Sequence, residues 1–247
     1  MIFPAWTDFN IIFYSILLLV VLLTSPAIYF GSGLLKYNKF RPSAETPARL
    51  GMFILYASPI IALYFSARNY VANANLIQWI VLTSVALHFM KRVLESLFLH
   101  KYSGAAKLSA TISIAFFYSS ASFFIGYLNR TPLHPIDIWF MLGFVFYFIG
   151  NIGNFIHHKI LADLRKDSLE YFIPKGGLFN YVVCPHYLFE IFTWVGIFLF
   201  SRHLGTLLVL GMIIAYLFAR SLVTLKWYRE TFSDFPKHVR TMIPFVF

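Results

Sequence analysis

Long apolar stretches separated by short polar connections constrain this chain of 247 residues more than any other feature. A helix that crosses the ~30 Å hydrocarbon core of a bilayer needs about 20 mostly apolar residues, because no water is present there to satisfy its backbone amides. Charged residues make up only 12% of the chain, whereas soluble domains carry about 25%. The pattern therefore predicts an all-α polytopic membrane helix bundle.

Seven stretches are long and apolar enough to be membrane-spanning helices. Their predicted ranges are Phe9–Phe30, Leu50–Ser66, Leu76–Met90, Leu108–Leu128, Ile138–Ile156, Leu188–Phe200 and Thr206–Thr224. The third and sixth stretches are short, which leaves room for tilt or for a polar end. No linker is long enough to separate a second domain, so residues 1–247 are interpreted as one integral-membrane domain.

Lys and Arg are distributed unevenly over the connections between these stretches. All but three of the 20 follow spans one, three and five or lie in the tail, and the three exceptions are Arg68, Arg130 and Arg202. The positive-inside rule then predicts an outer N-terminus and a cytoplasmic C-terminus. Because topology explains the net charge of +10, no nucleic-acid partner is predicted.

The first candidate cluster lies at the inner end of the third span. His88, Arg92 and Glu95 stand at helical spacing and share one face of a helix. They form either a solvated helix end, with an Arg92–Glu95 pair worth a few tenths of a kcal/mol, or part of a functional site. The longest inner connection, residues 157–186, is also dense in polar side chains, so we expect any chemistry at the cytoplasmic mouth of the bundle.

The second cluster lies in the fifth span, where Asn151 and Asn154 are followed by His157 and His158. A buried amide is costly in hydrocarbon unless it is paired. Such side chains therefore face a cavity or ligand or make hydrogen bonds between helices. Adjacent histidines point to different sides of a helix, and a single cysteine excludes thiolate zinc sites, so no metal is predicted.

Two further clusters lie in the last two spans. Glu190 near the start of the sixth span becomes neutral, pairs with a basic group or binds a ligand. Arg220 at the mouth of the seventh span either snorkels to the interface or binds a ligand. The chain contains no Rossmann fingerprint and no P-loop. On the outer side, Asn129-Arg130-Thr131 is a glycosylation sequon, which we interpret as a chance occurrence because it lies almost at the membrane surface.

Taken in order, these clusters resemble the steroid 5α-reductase superfamily of membrane reductases, from Leu87 to the C-terminus. The segments most similar to the very-long-chain trans-2-enoyl-CoA reductases are Tyr56-Ala57-Ser58-Pro59, Leu87-His88-Phe89-Met90-Lys91-Arg92 with Glu95, Gly153-Asn154-Phe155, and Cys184-Pro185-His186-Tyr187 with Glu190. Ile173-Pro174-Lys175-Gly176-Gly177-Leu178-Phe179 instead resembles the steroid reductases proper.

The resemblance implies NADPH held between helices and hydride delivery to an activated carbon–carbon double bond. Residue by residue, the positions that match cofactor contacts are Asn154, His158, Arg165, Tyr171, His186, Glu190, Arg220 and Tyr228. The Glu and Tyr that grip the substrate ketone in steroid reductases match Tyr56 and Phe89, and Phe89 has no hydrogen-bond donor. Tyr187 and Lys91 match residues regarded as catalytic in the enoyl-CoA branch.

These features predict reduction of an enone steroid or a trans-2-enoyl thioester, a lipid substrate that enters from the bilayer. The charge that develops on the carbonyl oxygen requires a donor. Tyr187 is the preferred donor, with Lys91 beside it, and Tyr56 and His88 are the other candidates. The predicted location is the endoplasmic reticulum for a eukaryotic chain and the inner membrane for a bacterial one, with the active site facing the cytoplasm.

Two alternatives remain open. One is a membrane methyltransferase of the isoprenylcysteine type, which requires S-adenosylmethionine instead of a pyridine nucleotide. The other is a seven-helix transporter or receptor without chemistry. The polar clusters gather at one membrane face and do not line a path across the bundle, which favours an enzyme over a transporter.

Overall fold

The computed structural model describes residues 1–30, 46–102, 105–106, 108–131, 135–166 and 170–244. Over these residues the fold is helical, apart from two paired two-residue strands, β1 (Thr46–Pro47) and β2 (Ala105–Ala106). The helices are α1 (Asp8–Tyr29), α2 (Ala48–Ala67), α3 (Leu76–Leu94), α4 (Leu108–Leu128), α5 (Ile138–Asp163), α6 (Pro185–Ser201) and α7 (Leu204–Thr231). A π-helical turn, Glu95–Leu99, continues α3.

Within the described ranges, six helices are long and apolar enough to cross a membrane: α1 to α5 and α7. The all-α prediction is therefore confirmed for these residues, whereas α6 has only 17 residues and is not among the six. Three predicted spans are too short at one end, because α3, α5 and α7 continue to Leu94, Asp163 and Thr231. Apolar runs stop where charged residues begin, but a helix continues wherever its backbone hydrogen bonds continue.

Local sequence signals account for several helix ends. Asn75 and Gln78 form a reciprocal capping box at the start of α3. Asp137 caps α5 by accepting hydrogen bonds from two backbone amides. Pro185 occupies the first turn of α6, where its missing N–H costs nothing. At its other end α6 stops at Arg202, which adopts the left-handed conformation.

The closest helix packing is between antiparallel α5 and α6. A Cβ at Gly150 would meet Thr193, and a Cβ at Gly153 would overlap the Phe189 ring. Glycines here let the two backbones approach closely, as is common where dispersion forces drive the association of helices in membranes. This packing fixes which faces of α5 and α6 point toward α3.

Other pairings show that alternate helices run parallel. The Tyr147 hydroxyl of α5 donates to the Ser84 carbonyl of α3 at 2.8 Å. Seven residues further along both helices, Asn154 of α5 contacts Lys91 of α3. Ser119 and Ser58 join α4 to α2 at 3.0 Å, and Ser25 of α1 donates to the Ala215 carbonyl of α7 at 2.7 Å. The first turns of α2, α4 and α6 therefore lie with the last turns of α3, α5 and α7, at what we call the site end. We call the opposite end the far end.

The segment after α7 closes back on the loop between α5 and α6. The Arg240 amide donates to the Tyr181 carbonyl at 2.8 Å, and the Cys184 amide donates to the Thr241 carbonyl at 3.0 Å. On the other side of this loop, His157 Nε2 accepts from the Leu178 amide at 3.1 Å. The loop is thus held against the site end by hydrogen bonds from two directions.

Candidate active site

A cavity of about 240 Å³ opens at the site end, with walls from α2, α3, α5, α6 and α7. Its volume lies just below the ~300–1,000 Å³ typical of small-molecule pockets. The charged side chains on its described wall are all cationic, namely Arg92, Lys101, Arg165 and Arg220. A cavity with this charge suits a ligand that carries several phosphate groups.

Most of the predicted site residues line this cavity. They are Tyr56, His158, Arg165, Tyr171, His186, Tyr187, Arg220 and Tyr228. The remaining predicted residues, His88, Lys91, Asn154 and Glu190, lie behind the wall in a network of hydrogen bonds. The fold therefore brings together side chains from distant parts of the chain, and divides them into a cavity layer and a supporting layer.

Arg165 and Arg220 supply positive charge to the loop side and the α7 side of the cavity. The Arg165 guanidinium lies 4.7 Å from the centre of the Tyr171 ring, and its Nη1 donates to the Lys101 carbonyl at 3.2 Å. Arg220 is only 5% exposed, so the interpretation as a snorkelling side chain is wrong. It is buried because α7 continues for about three further turns beyond it and packs against the α5–α6 loop.

Glu95 is the centre of the outer part of the network. Its carboxylate accepts from Arg92 Nη1 at 2.6 Å, forms an ion pair with Lys91 Nζ at 2.9 Å, and lies 3.0 Å from His158 Nδ1. Glu95 is 3% and Arg92 9% exposed. The interpretation of this pair as a solvated helix end is therefore wrong, because the helix continues as a π-turn and carries both side chains into the protein. Such π-turns are frequent at functional sites.

Glu190 is the centre of the inner part. It lies 3.0 Å from His88 Nε2 and accepts from Trp194 Nε1 at 3.3 Å and from Asn154 Nδ2 at 3.2 Å. Of the three outcomes open for this carboxylate, the structure shows the paired one. Hydrogen bonds from several donors offset much of the free-energy cost of removing a carboxylate from water.

Asn154 connects the two parts of the network. Its Oδ1 accepts from Lys91 Nζ at 2.5 Å, and its Nδ2 donates to the His186 carbonyl at 2.8 Å as well as to Glu190. Asn154 therefore holds Lys91 on α3 and the first turn of α6 in place from α5. The predicted direct cofactor contacts of Asn154 and Glu190 stay predictions, since both groups bind protein partners here.

Tyr56 of α2 closes the α3 side of the cavity. Its oxygen accepts a hydrogen bond of 2.6 Å from Arg92 Nη2, and the guanidinium lies 4.7 Å from the ring centre. Phe89, the position that matches a ketone-binding tyrosine in steroid reductases, is 1% exposed and packs edge-on against Tyr118 and Trp194. Phe89 is therefore a packed core side chain without a hydrogen-bond donor.

His100, Lys101 and Tyr102 line the cavity but are not among the residues predicted from the sequence. Burial and the nearby Arg92 guanidinium lower the pKa of His100 to about 4, so its imidazole is neutral at pH 7. Burial raises the pKa of Tyr102, whose hydroxyl donates to the Ser96 carbonyl at 3.0 Å. No helical periodicity marks these residues, because they follow the π-turn. Their closeness to Glu95 along the chain is the signal that could have found them.

Glu95, His100 and His158 could place one ligand atom each within 4.8 Å of one another, as a metal site requires. Arg92 Nη1, however, lies 2.6 Å from Glu95 and 2.8 Å from His158 Nδ1. A guanidinium thus already supplies the positive charge that a metal ion would bring. The absence of a metal stays a prediction. As expected for neighbours on a helix, His157 faces the loop instead, and donates from Nδ1 to the Gly153 carbonyl at 2.7 Å.

The imidazole of His186 is part of the cavity wall. His186 Nδ1 is buried and makes no hydrogen bond to the described part of the chain. Buried polar atoms in proteins almost always have a partner, from the protein, water or a ligand. The unpaired nitrogen and the cationic wall together fit a ligand with phosphates at one part and a hydrogen-bonding group at another.

Residues 109–247 match the family model described as 3-oxo-5-alpha-steroid 4-dehydrogenase. The chain is also similar to 3-oxo-5-alpha-steroid 4-dehydrogenase 1 of Rattus norvegicus, with 31% identity over 227 residues that cover 87% of this chain and 86% of the rat protein. The chain belongs to the 3-oxo-5-alpha-steroid 4-dehydrogenase family. This confirms the predicted superfamily, and the protein is an oxidoreductase whose apolar helices fit a membrane protein.

Other members are named for different substrates. A very-long-chain enoyl-CoA reductase of Dictyostelium discoideum is 31% identical over 175 residues, 68% of this chain and 58% of the Dictyostelium protein. Polyprenal reductase 1 of Oryza sativa subsp. indica is 37% identical over 119 residues, 47% of this chain and 34% of the rice protein. The family-model match includes the site residues of α5 to α7, but Tyr56, His88 and Lys91 precede it.

Proposed function

We propose that the protein catalyses NADPH-dependent reduction of an activated carbon–carbon double bond in a lipid substrate, either an enone steroid or a trans-2-enoyl thioester. Membership of the family supports a reductase, and the relatives named for steroid, enoyl-CoA and polyprenal substrates support a carbonyl-containing lipid. When bound, NADPH supplies the hydride that becomes the new C–H bond at the β-carbon.

The observation that carries this proposal is the cationic wall of the cavity. NADPH has a pyrophosphate and a 2′-phosphate, and arginine binds such groups through charge-assisted, bidentate hydrogen bonds. The side chains that would hold these phosphates are Arg165, Arg220 and Lys101, since Arg92 already binds Glu95 and Tyr56. His186 Nδ1 offers a hydrogen-bonding position to the remainder of the cofactor.

The protein must also stabilise the negative charge that forms on the substrate carbonyl oxygen. Hydroxyl donors aimed at that oxygen are the usual solution. Of the three predicted donors, Tyr187 and Tyr56 line the cavity. His88 lies behind the wall with Nε2 3.0 Å from Glu190, so its proposed role is to support the network and not to contact substrate. Lys91 acts in the same way, through Asn154 and Glu95.

We further propose a seven-span topology with an outer N-terminus. At 1.5 Å per residue, the 17 residues of α6 extend ~26 Å, slightly less than the hydrocarbon thickness. However, α6 pairs along its length with the much longer α5 and lies against α3 and α7, which shields its ends from lipid. The site end then faces the cytoplasm, so that NADPH enters from water and the lipid substrate enters from the bilayer.

The decisive experiment measures NADPH binding and NADPH oxidation by the detergent-purified protein, with trans-2-hexadecenoyl-CoA and a 3-oxo-Δ4-steroid assayed side by side. We expect tight NADPH binding and turnover of at least one substrate. Absence of NADPH binding would contradict the proposal, and binding of S-adenosylmethionine in its place would support the methyltransferase alternative.

The variant Arg165→Glu tests the cationic wall directly. A charge-assisted hydrogen bond is worth about 1.5–3 kcal/mol, so its loss, together with the new repulsion, should weaken NADPH binding at least ~10- to 100-fold. Arg229→Glu makes the same charge change on an exposed position of α7 outside the cavity and should leave the affinity nearly unchanged. Equal losses of NADPH affinity in the two variants would mean that the overall positive charge of the surface attracts NADPH, and not a phosphate site in the cavity.

A further inference from the structure

A second cavity at the site end lies between two segments that are not part of the seven helices. One wall comes from residues 173–183 of the α5–α6 loop, and the other from residues 235–239 of the segment after α7. We call the cavity of the candidate active site the active-site cavity. The second cavity has a volume of about 280 Å³, which at ~30 Å³ per water-sized group holds roughly ten non-hydrogen atoms. It is too small for a steroid or a dinucleotide.

The second cavity has an apolar floor and a polar rim. Its buried lining residues in the described structure are all apolar, namely Pro174, Phe179, Val183 and Val239. Its exposed lining residues are Lys175, Asn180 and His238, which are all polar. A pocket of this kind suits an amphipathic ligand, because the floor removes apolar surface from water while the rim fixes a polar group.

Hydrogen bonds within the protein orient two side chains of the rim. Asn180 Oδ1 accepts from the Gly176 amide at 3.0 Å, so the amide nitrogen of the same side chain is the group that can donate to a ligand. His238 Nε2 lies 3.2 Å from the Asn180 carbonyl and donates to it, since a carbonyl can only accept. The rim therefore offers an amide donor together with the ammonium group of Lys175.

The charge of the rim favours an anion. Among the described lining residues Lys175 is the one with a permanent charge, and none of them carries a carboxylate. The acidic residues closest to the two walls along the chain are Glu170 and Asp234, and neither lines the cavity. The segment that contains Asp234 also contains Lys237 and Arg240. A single cation on the wall matches a ligand with one anionic group, whereas the cationic wall of the active-site cavity matches several phosphates.

The second cavity and the active-site cavity have a wall in common. Val183 lines both cavities. Tyr228 of the active-site cavity is stacked on Phe235 of the second cavity, with the ring centres 5.4 Å apart. The Val183 amide also donates to the Arg240 carbonyl at 2.9 Å, which joins the loop to the segment after α7. A ligand in the second cavity therefore contacts the reverse side of the wall that encloses the active-site cavity.

We propose that the second cavity binds a medium-chain fatty acid and that this binding strengthens the binding of NADPH. The alkyl chain lies on the apolar floor, and the carboxylate accepts from Lys175 and Asn180. The part that concerns NADPH rests on the proposed function. Both ligands bind the arrangement in which the loop and the segment after α7 are packed together, so each stabilises the arrangement that the other requires. The coupling is reciprocal, and we expect a factor of about five, at the low end of typical values.

Octanoate is the probe, because its chain and carboxylate together have the size that the cavity holds. Its binding to the detergent-purified full-length protein is measured by isothermal titration calorimetry, with empty micelles as the blank. We expect a Kd near or below ~1 mM, as is typical of ligands of this size. Octanamide has the same shape without the charge, and should bind at least ~10-fold more weakly because it makes no charge-assisted hydrogen bond.

Three variants test the position of the ligand. Lys175→Glu reverses the charge of the rim and should weaken octanoate binding at least ~10-fold. Lys237→Glu makes the same change on an exposed residue outside the lining, and should leave the affinity nearly unchanged. Val239→Phe fills the floor without a change of charge and should abolish octanoate binding. Should Val239→Phe fail to fold, the comparison of Lys175→Glu with Lys237→Glu at two exposed positions still decides the matter.

The coupling is measured as the Kd for NADPH with and without saturating octanoate. We expect octanoate to lower this Kd about fivefold in the wild type and in Lys237→Glu, and to have no effect in Lys175→Glu or Val239→Phe. NADPH should lower the Kd for octanoate by the same factor. Without octanoate, the wild type and Val239→Phe should bind NADPH with nearly equal affinity, because Val239 does not line the active-site cavity.

Each contrary outcome has a defined meaning. Equal affinities for octanoate and octanamide, or equal losses in Lys175→Glu and Lys237→Glu, would overturn the fatty-acid site. An unchanged Kd for NADPH in the presence of bound octanoate would overturn the coupling, and so would competition between the two, which would place the carboxylate in the active-site cavity. A wild-type protein that binds octanoate as expected but binds no NADPH would instead overturn the proposed function and leave the fatty-acid site in place.

Discussion

The two ends of the helix bundle both bury polar side chains, yet they use them differently. At the far end, Gln78 Nε2 donates to the Asn129 carbonyl at 3.0 Å, and Asn129 Nδ2 donates to the Gln78 carbonyl at 3.0 Å. At the site end, Arg165, Arg220 and His186 surround a cavity. The polar groups of the far end are matched to each other across helices, whereas those of the site end leave space for a ligand.

The far end also contains an ion pair between two helix ends. Arg202, in the turn between α6 and α7, donates to the Asp137 carboxylate at the start of α5, with Nη1 2.9 Å from Oδ2. The first residues of the chain lie beside this turn, since the Ile2 amide donates to the Arg202 carbonyl at 2.7 Å. Polarity inside a membrane bundle therefore does not identify a site by itself, because it also serves to join helix ends.

Removing the central carboxylate of the site end should have the largest effect. Glu95→Gln leaves Arg92 and Lys91 without their shared anion in a buried position, and breaking a buried charge pair typically costs about 3–5 kcal/mol. We expect a large drop in the melting temperature in detergent and loss of turnover. Glu230→Gln removes an exposed carboxylate 3.8 Å from Lys226 and is the control. Similar melting of Glu95→Gln and wild type would mean that the network does not stabilise the bundle.

The far-end amide pair should matter for stability but not for chemistry. In Gln78→Leu, the Asn129 and Arg130 carbonyls lose their shared donor, which costs about 1–3 kcal/mol when a group is left buried and unpaired. The melting temperature should fall moderately, while the affinity for NADPH and kcat/KM stay close to the wild type. A tenfold loss of NADPH affinity in this variant would contradict the conclusion that polar groups of the far end serve stability alone.

The smallest effect is expected at the ion pair of the far end. The Arg202 guanidinium lowers the pKa of Asp137 to about 2, with help from the backbone amides that it caps. Because the folded-state pKa lies below the ordinary value near 4, the stabilisation is complete above about pH 4 and is lost as the pH falls toward 2. The melting temperature of Asp137→Asn should therefore lie slightly below that of the wild type at pH 7. The two melting temperatures should converge as the pH is lowered. A difference independent of pH would contradict this, with Asp8→Asn as the control.

The contrast also explains the sequon at the far end. Asn129 of Asn129-Arg130-Thr131 is 2% exposed, and its amide is bound to the Gln78 carbonyl. This geometry supports the interpretation of the sequon as a chance occurrence, because the amide nitrogen that would carry a glycan is engaged between α3 and α4. A residue that matches a modification pattern can thus have a purely structural role.

Properties that depend on neighbouring residues along the chain follow from the sequence alone. Hydropathy averaged over about 20 residues predicts the helices, since the bilayer imposes that length. The distribution of Lys and Arg predicts the end at which the cationic cavity lies. The order of the polar segments is enough to predict the superfamily that the family match confirms. Helical spacing also predicts correctly that His157 and His158 face different surroundings.

Contacts between distant segments do not follow from the sequence in this way. Whether Arg92 and Glu95 are solvated or buried, and whether Arg220 snorkels or lines a cavity, depends on which helix covers each face. The bond from Arg92 to Tyr56 joins residues 36 positions apart on two helices. Hydrophobic pattern selects the buried face of each helix but not its partner or its axial register. The packing of all helices together sets the register, and with it the choice of side chains that reach the cavity.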